Sequence, residues 1–295
     1  MRLKFSVSAE TSIGQVRKQN EDAFLVAVYD VEGGIRQFED KAIAAVDCTD
    51  TSVLIAVADG LGGHAGGEIA SWTAISAMRD FVQRQVELGE FNAHLPARSL
   101  LNEAIQECHR QVTLQGANSL TLRGMASTLT AGWIAQDRLH VMHVGDSRAY
   151  LLRNSVLIQL TTDHTLANRV FSGLNDLELQ LNSQFSNVLW NTIGGGESIP
   201  SAEIVELKLE ASDSILFCTD GLTNAVDHAA IQEILSDFGT PKDQCEDLVR
   251  LANGQGGKDN ITALVLQVHE TCDPDTYGNS NRDIVDISMD DTVDC

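Results

Sequence analysis

Five aspartates stand beside apolar segments that have the pattern of buried strands. Asp59 ends VLIAVAD and Asp220 ends SILFCTD, and a glycine follows each of them. Asp146 follows HVMHVG, whereas Asp22 and Asp259 directly precede AFLVAVY and NITALVLQV. A single aspartate at a strand end is typical of a turn, but strand ends also carry functional side chains on a rigid scaffold. Five such acids, two of them in the same apolar–Asp–Gly form, indicate a shared site.

Clustered carboxylates repel one another unless cations neutralise them. Ligand sets made only of oxygen favour hard ions such as Mg²⁺ or Mn²⁺ over zinc, and the six scattered cysteines contain no CxxC pair. Two such ions about 3.5–4 Å apart bind a bridging water, lower its pKa and clamp a phosphoryl oxygen. The acids therefore predict a two-metal site. Its chemistry suits phosphate-monoester hydrolysis, one of the slowest uncatalysed reactions.

The glycine-rich stretch DGLGGHAGGE, which begins at Asp59, allows a second interpretation. Gly60, Gly62 and Ala65 match the G-x-G-x-x-A loop that binds dinucleotides, and Asp80 lies twenty residues after Gly60. The dinucleotide motif needs that acid at the end of a second strand, whereas Asp80 lies inside a helical pattern. No Lys-Ser/Thr pair follows, as a P-loop would require. We therefore favour the metal site, with the glycines leaving room around the acid.

The composition limits the class of protein. The chain has 295 residues, is 43% hydrophobic and carries a formal net charge of -22. This is enough apolar material for a core, and the acidic balance disfavours nucleic acids and anionic membranes. The sequence has no uninterrupted apolar run of about 18 residues, and MRLKFSVSAETS lacks the apolar region of a signal peptide. We expect a cytoplasmic monomer that binds neither nucleic acid nor membrane.

Strand patterns open and close the chain, and helical patterns lie between them. The helical segments are expected at 69–86, 96–114, 229–238 and 245–252. The order shows no regular strand–helix alternation, which favours an α+β fold with largely antiparallel sheets. The acidic segment 30–52 is interpreted as a long hairpin excursion, and Trp72, Trp133 and Trp190 as core residues. Residues 1–270 are expected to form a single domain, followed by a disordered acidic tail at 271–295 that contains seven aspartates and one arginine.

Seven motifs occur in a fixed order between Thr11 and Val268: TSIGQVRKQNEDAF, VADGLGGHAGGE, GMASTLT, HVGDSRAY, LTTDHT, LFCTDGL and GGKDNIT. Together they resemble the metal-dependent protein phosphatases of the 2C type, in particular the compact bacterial serine/threonine phosphatases. The resemblance implies a sandwich of two antiparallel β-sheets flanked by helix pairs, with the metal site at one end. It also implies hydrolysis of phosphoserine and phosphothreonine in proteins by a metal-bridging water or hydroxide, in opposition to a serine/threonine kinase.

The resemblance assigns a metal-binding role to each acid. Asp59 is expected to bridge the two Mn²⁺ or Mg²⁺ ions, with Gly60 giving its carbonyl and Asp22 its carboxylate to one of them. Asp220 and Asp259 are expected to bind the other ion. Asp146, sharing Asp220, is expected to bind a third, weaker ion.

Two further residues receive roles in binding and turnover. Arg17 is expected to grip the substrate phosphate, because its guanidinium fork matches phosphate oxygens. His64 is expected to act as general acid toward the leaving alkoxide, since histidine titrates near neutral pH. Asn260 is interpreted as a residue that orients a neighbouring ligand. The other histidines are not expected to form a metal-binding set.

The sequence also departs from the family pattern. Ser12 stands where the family usually has aspartate, and Ala126 where glycine is common. The flap-like segment 165–196 matches poorly, so the resemblance does not predict the substrate. Two alternatives stay open: a catalytically silent module that binds phosphorylated partners, and a phosphatase dedicated to secretion or stress control rather than general signalling.

Overall fold

The computed structural model describes residues 3–30, 35–37, 42–47, 51–62, 65–90, 98–171, 188–196 and 198–270. Two β-sheets face each other, and every strand pair in them is antiparallel. The first sheet consists of β1 (Leu3–Ser12), β4 (Ala42–Asp47), β9 (Arg148–Arg153), β10 (Val156–Gln159), β13 (Ser214–Cys218) and β14 (Ile261–Glu270). Its spatial order is β10–β9–β13–β14–β1–β4.

The second sheet has β5 (Thr51–Leu61) near its centre. The other strands are β2 (Asp22–Asp30), β3 (Ile35–Gln37), β6 (Ala126–Ser127), β7 (Leu129–Ala135), β8 (Arg138–Val144), β11 (Ile193–Gly194) and β12 (Glu203–Lys208). β5 pairs with β2 along one edge and with β7 and then β6 along the other, and the sheet continues through β8 to β12. Antiparallel pairing follows from the sequence, because most strand connections are too short to hold a crossover helix.

Helix pairs cover the two outer faces. α1 (Ala65–Glu87) and α2 (Arg98–Ala117) share a buried apolar cluster with the second sheet. Two short helices follow, α3 (Leu166–Phe171) and α4 (Asp220–Thr223), and then α5 (His228–Ser236) and α6 (Pro241–Gly254), which pack on the first sheet. A third apolar cluster fills the space between the sheets. The predicted α+β sandwich with flanking helix pairs is confirmed.

The chain passes repeatedly from one sheet to the other. The Gly145–Ser147 bend carries the chain from β8 in the second sheet to β9 in the first. The 30–52 excursion differs from a simple hairpin. β3 pairs with β2, whereas β4 joins β1 in the opposite sheet. The β1–β2 and β8–β9 crossings both lie at the end of the sandwich where β2 begins and β8 ends.

The helix patterns are largely correct, and two of the differences have a clear physical cause. α6 begins at Pro241, four residues before the predicted start, because Thr240 and Asp243 form a capping box in which each caps the other's backbone N–H. Trp72 was expected in the core but is 51% exposed. The buried face of α1 is formed by smaller residues such as Ala70 and Ala74, and the helical period turns Trp72 away from it.

The remaining expectations about organisation have different outcomes. Trp133 is fully buried as expected, and Trp190 is half-buried. Pro96 and the predicted tail 271–295 lie outside the described residues, as does 172–187 of the flap-like segment. No helix within the described ranges is long and apolar enough to cross a membrane.

Candidate metal centre

The five predicted acids meet at one end of the sandwich. Asp22 and Asp59 lie directly opposite each other on the paired strands β2 and β5. Asp220 follows β13 at the start of α4, and Asp259 precedes β14 by one residue. Asp146 lies in the bend between β8 and β9. Each strand either starts or stops at this end, so antiparallel pairing brings together acids that are far apart in sequence.

Asp22 is held from across the sandwich. Its Oδ2 accepts hydrogen bonds from Thr219 Oγ1 at 2.8 Å and from Thr262 Oγ1 at 2.7 Å. Oδ1 is buried and has no hydrogen-bond partner among the described residues. Burial raises the pKa of Asp22 to about 7, against the two threonine hydrogen bonds that lower it. The threonines therefore fix one oxygen and leave the other available to a ligand.

Asp59 and Asp220 share this environment. Burial, followed by the charge of Asp22, raises the pKa of Asp59 well above its usual value. Burial and the charge of Asp259 raise the pKa of Asp220. Asp220 Oδ2 accepts from Asn224 Nδ2 at 3.0 Å, whereas its buried Oδ1 has no partner in the described part of the chain. Together these carboxylates form a pocket of negative charge in which the buried Oδ1 atoms of Asp22 and Asp220 have no donor among the described residues.

The main chain of Asp59 is fixed by hydroxyl side chains from β6 and the residue after it. Its N–H donates to Thr128 Oγ1 at 2.9 Å, and its carbonyl accepts from Ser127 Oγ at 2.9 Å. Thr128 Oγ1 lies 2.7 Å from the hydroxyl of the buried Ser147. The end of β5 that carries Asp59 is thus held in place by hydrogen bonds from two neighbouring residues.

Asp146 and Asp259 complete the group of acids. Burial raises the pKa of Asp146 to about 7, and the charge of Asp220 adds to the shift. Asp259 Oδ2 forms a 2.7 Å ion pair with Arg17 Nη2, and its Oδ1 accepts from the N–H of Asn260 at 2.8 Å. Arg17 is 48% exposed, so its side chain is open to solvent at the rim of the site.

Gly60 and Gly67, two described glycines of the DGLGGHAGGE stretch, pack against neighbouring chain segments instead of opening toward a phosphate. The N–H of Gly60 donates to the carbonyl of Glu21 at 3.1 Å. A Cβ on Gly60 would meet the Gly67 carbonyl and would lie 2.8 Å from the Glu21 carbonyl, and a Cβ on Gly67 would lie 2.6 Å from Glu21 Cδ. Glycine is therefore required here because α1, β5 and the Glu21 loop approach one another closely.

Asn260 organises the loop that carries Arg17. Its Nδ2 donates to the carbonyls of Ile13 at 3.0 Å and Gln19 at 2.9 Å, and its Oδ1 accepts from the N–H of Glu21 at 2.8 Å. All the polar atoms of the amide are used. Its predicted orienting effect thus extends beyond one neighbouring ligand to the whole 13–21 loop.

The structure brings together most of the predicted site. Asp22, Asp59, Gly60, Asp220, Asp259, Asp146 and Arg17 lie at the same end, whereas His64 lies outside the described residues. Sequence reasoning missed Thr219 and Thr262, which orient Asp22, and the Ser127–Thr128 pair, which fixes Asp59. Thr219 and Thr262 stand beside the Asp220 and Asp259 motifs, but hydroxyl residues are equally common in ordinary strands, and Ser127 and Thr128 lie far from Asp59 in the sequence.

The expectation that the remaining histidines form no metal-binding set stays a prediction, because one described group has the spacing of a metal site. Ligand-type atoms of His143, His164 and Glu203 lie within 4.8 Å of one another. However, both nitrogens of His143 are engaged, with Thr130 Oγ1 at 2.9 Å and the Thr162 carbonyl at 3.1 Å. Burial lowers the pKa of His143 to about 3, so its ring is neutral. Nδ1 of His164 accepts two hydrogen bonds, which places its proton on Nε2. The cluster is a hydrogen-bonding group.

The donor set of the acidic pocket fits hard divalent cations. Its ligands are carboxylate oxygens, which Mg²⁺ and Mn²⁺ prefer. Buried oxygens of two acids lack any donor in the described residues, and several negative charges raise one another's pKa. A buried group of this kind is costly unless cations neutralise it.

A model of the family described as Protein phosphatase 2C matches residues 37–254. The chain belongs to the protein phosphatase 2C family. The sequence-based prediction of a metal-dependent protein serine/threonine phosphatase, a hydrolase, is confirmed. Arg17, Asp22 and Asp259 lie outside the matched range, so their place in the site rests on the geometry above.

Curated relatives and solved structures agree with this assignment. The chain is 34% identical to the serine/threonine phosphatase stp of Listeria innocua over 87% of this chain and 93% of the relative. It is 30% identical to the protein phosphatase PhpP of Streptococcus pneumoniae over 90% of this chain and 98% of the relative.

The structural neighbours cover the whole fold. The S. agalactiae serine/threonine phosphatase superposes with a TM-score of 0.74 at 29% identity, covering 90% of this chain and all of that one. The catalytic domain of the protein phosphatase PstP, solved in complex with two manganese ions, gives a TM-score of 0.67 at 30% identity, covering 91% and 100% of the two chains.

Proposed function

We propose that Asp22, Asp59, Asp220 and Asp259, with the carbonyl of Gly60, hold two divalent ions, Mn²⁺ or Mg²⁺. We further propose that Asp146 and Asp220 hold a third, weaker ion. One observation carries the proposal: buried oxygens of Asp22 and Asp220 have no donor in the described residues, although hydroxyl groups satisfy the other oxygen of Asp22. When bound, such ions supply a nucleophile from water at neutral pH and stabilise negative charge on a phosphoryl group.

The protein's own side chains would position the phosphate ester. Arg17 projects from a loop that Asn260 holds in place, and its guanidinium lies beside the acids. Hydrogen bonding to Asp259 raises the pKa of Arg17, so it stays a cation over the whole working pH range. Because it is about half exposed, its remaining N–H groups are available to a phosphate oxygen. Arg17 would thus hold the phosphate against the acidic pocket while still paired with Asp259.

We propose that His64 donates a proton to the leaving alkoxide of serine or threonine. The basis is its motif alone, GGHAGG, between Gly60 and α1. A general acid near neutral pH fits this step. The pH dependence of turnover by His64→Ala tests the role, since loss of the acid should remove the basic limb of the profile. An unchanged basic limb would assign the proton to another group.

The substrates of a serine/threonine phosphatase are phosphorylated proteins. We propose that the protein acts against a cognate serine/threonine kinase, as a monomer in the cytoplasm. We also propose that residues 1–270 form a single domain and that 271–295 form an acidic tail. A phosphoproteome comparison with and without active protein would identify the pathway. Dephosphorylation confined to secretion or stress-response proteins would favour a dedicated role over general signalling.

The direct test is hydrolysis of a phosphothreonine peptide with Mn²⁺, with Mg²⁺ and with chelator. We expect turnover that needs a divalent ion, and a KM at least about tenfold higher in Arg17→Met, because a charge-assisted contact to phosphate contributes roughly 1.5–3 kcal/mol. Lys18→Met, which removes a cation from the adjacent position, is the matched control. Turnover that survives chelator would refute the metal site, whereas tight phosphopeptide binding without turnover would indicate a silent binding module.

A further inference from the structure

The segment Thr162–His164, here called the TDH segment, is fixed by each of its residues to a different part of the fold. Thr162 donates its N–H to Glu203 Oε2 at 2.8 Å, and its carbonyl lies 3.1 Å from His143 Nε2. Asp163 accepts two hydrogen bonds from Arg148, at 2.9 and 2.6 Å. The segment is therefore tied to β12, β8 and β9 before His164 makes its own contacts. A residue held so rigidly can fix a neighbouring loop.

His164 clamps Gly145, the residue before Asp146, by both of its backbone groups. The N–H of Gly145 donates to His164 Nδ1 at 3.1 Å, and the N–H of His164 donates to the carbonyl of Gly145 at 2.7 Å. Gly145 has φ +114°, and a Cβ there would lie 2.6 Å from Thr128 Cβ. Glycine is thus needed for this bend, but glycine alone does not hold a conformation. The two hydrogen bonds to His164 hold Gly145 in this one conformation.

Asn191 selects the ring tautomer on which the clamp depends. Its Nδ2 donates to His164 Nδ1 at 2.9 Å, and its Oδ1 accepts from the N–H of Ser201 at 3.1 Å, which fixes the orientation of the amide. With donors from Asn191 and Gly145, Nδ1 must be the unprotonated nitrogen. The Trp190 ring packs against the His164 ring, with 5.1 Å between their centroids. The backbone N–H of Trp190 donates to the backbone carbonyl of His164 at 3.0 Å.

We propose that His164 is a positioning residue: through Gly145 it fixes the carboxylate of Asp146 toward the acidic pocket, with Asn191 holding its ring in the tautomer that accepts from Gly145. The inference rests on the proposed function only for the ion that Asp146 would bind. The clamp itself is a property of the metal-free chain. It adds to the reaction a residue that touches neither substrate nor ion.

The experiment compares His164→Leu with His164→Asn. Asparagine places Oδ1 where Nδ1 stands, so it keeps the acceptor, whereas leucine keeps the bulk and loses it. In chelated protein, we expect amide hydrogen exchange at Gly145 to rise about tenfold or more in His164→Leu and to stay near wild type in His164→Asn. Calorimetry with Mn²⁺ should show the weakest binding step about 10–100-fold weaker in His164→Leu, with the tighter steps unchanged.

A second variant tests the tautomer while leaving His164 in place. Asn191→Asp keeps the acceptor for Ser201 but replaces the amide donor by an acceptor, which draws a proton onto His164 Nδ1. The Gly145 N–H then loses its partner, so its exchange should rise as in His164→Leu. The ¹⁵N shifts of the ring should report the change of tautomer. This variant also decides the matter if His164→Leu does not fold.

The outcomes separate the hold of His164 on Gly145 from its effect on the ion proposed at Asp146. Unchanged exchange at Gly145 in both His164→Leu and Asn191→Asp would overturn the clamp. If wild-type protein binds only two ions while Gly145 exchange responds as expected, the third-ion part of the proposed function fails and the positioning of Gly145 by His164 stands. Weak-step affinity that is equal in wild type and His164→Leu, when that step exists, would overturn the link from His164 to Asp146.

Discussion

β13 has an aspartate near each end, and the two carboxylates differ in their hydrogen-bond partners. Asp213, just before the strand, is buried and accepts from Arg153 Nε at 2.8 Å, from Arg153 Nη2 at 2.6 Å and from the N–H of Glu210 at 2.8 Å. Asp220, two residues after the strand, has a buried Oδ1 with no donor in the described residues. A carboxylate that serves the fold is neutralised within the chain, whereas one that serves a ligand is left in need of a cation.

The charges around Asp213 and Asp220 differ in the same way. At the Asp213 end, Arg153 also contacts Glu210 at 3.0 Å and the carbonyl of Lys208 at 2.8 Å, so four of its five N–H groups are used. At the Asp220 end, the charges that act on it come mainly from other acids, above all Asp259. At the Asp213 end, groups within the chain neutralise the carboxylate without a ligand. The Asp220 end is a high-energy arrangement that divalent ions would relieve, so substitutions at the two ends should affect different measurements.

Asp59→Asn is expected to have the largest effect on turnover. The carboxylate lies opposite Asp22 and interacts with the other acids, so its loss should disrupt the binding of both ions in the proposed site. Turnover of a phosphothreonine peptide should fall at least about 10⁴-fold, since the ions contribute several kcal/mol to the transition state. The chelated variant should unfold at the same or a higher temperature than wild type, because a buried charge is removed. Loss of folding together with activity would contradict the comparison.

Asp213→Asn should show the reverse pattern. It takes the bidentate carboxylate away from the partly exposed Arg153, and losing such charge-assisted hydrogen bonds should destabilise the protein by up to about 3 kcal/mol. Denaturant unfolding should reveal this loss, while kcat per folded molecule stays near wild type. Glu210→Gln, which removes the more exposed acid paired with the same arginine, serves as the control and should cost at most about 1 kcal/mol. A fall in kcat without loss of stability would mean that the two ends are not separable.

The sequence predicts one half of this contrast and misses the other. Acids at the ends of apolar strands, such as Asp59 and Asp220, are visible because strand patterns are local. Whether a given acid is neutralised depends on partners from distant strands. Nothing in the sequence near Asp213 indicates that Arg153 completes it. The exposure of Trp72 and the clamp on Gly145 by His164 were missed for the same reason, because both depend on packing between elements rather than on the pattern within one.

The pH dependence of stability in the metal-free protein is the next largest expected effect. Burial raises the pKa of Asp22 to about 7, above its usual value near 4 in an unfolded chain. An acid with a raised folded pKa gives its full contribution to stability below about pH 4 and loses it as pH rises through 7. Between pH 5 and pH 8 the loss from Asp22 alone is on the order of 2–3 kcal/mol.

The measurement is Tm against pH in chelator for wild type and Asp22→Asn. The difference isolates Asp22: wild type should lose stability relative to the variant as pH rises from 5 to 8. Added Mn²⁺ should reverse the trend, because ions compete with protons for the same oxygens. If the difference between the two proteins is flat in chelator, Asp22 is already neutralised by a group in the chain, and the contrast with Asp213 is lost.

Thr262→Val should have the smallest effect and is the most selective for the oxygens of Asp22. Thr262 Oγ1 donates to Asp22 Oδ2 at 2.7 Å and lies 2.8 Å from Thr11 Oγ1. Valine keeps the β-branched shape that suits the strand but removes the donor. Thr219 alone would then hold Asp22, and Mn²⁺ affinity should fall about 10–100-fold, as is usual for groups that orient a metal ligand.

Thr11→Val is the matched control, because it lies one hydrogen bond farther from Asp22 and leaves the Thr262 donor in place. Calorimetry at constant pH should show clearly weaker Mn²⁺ binding in Thr262→Val than in Thr11→Val, with similar Tm values in chelator. Equal affinities in the two variants would mean that the oxygen of Asp22 facing the pocket is placed by the strand alone. The Asp220 end of β13 would then differ from the Asp213 end only in lacking an arginine. The hydroxyl groups would not be needed to explain how the acids are placed.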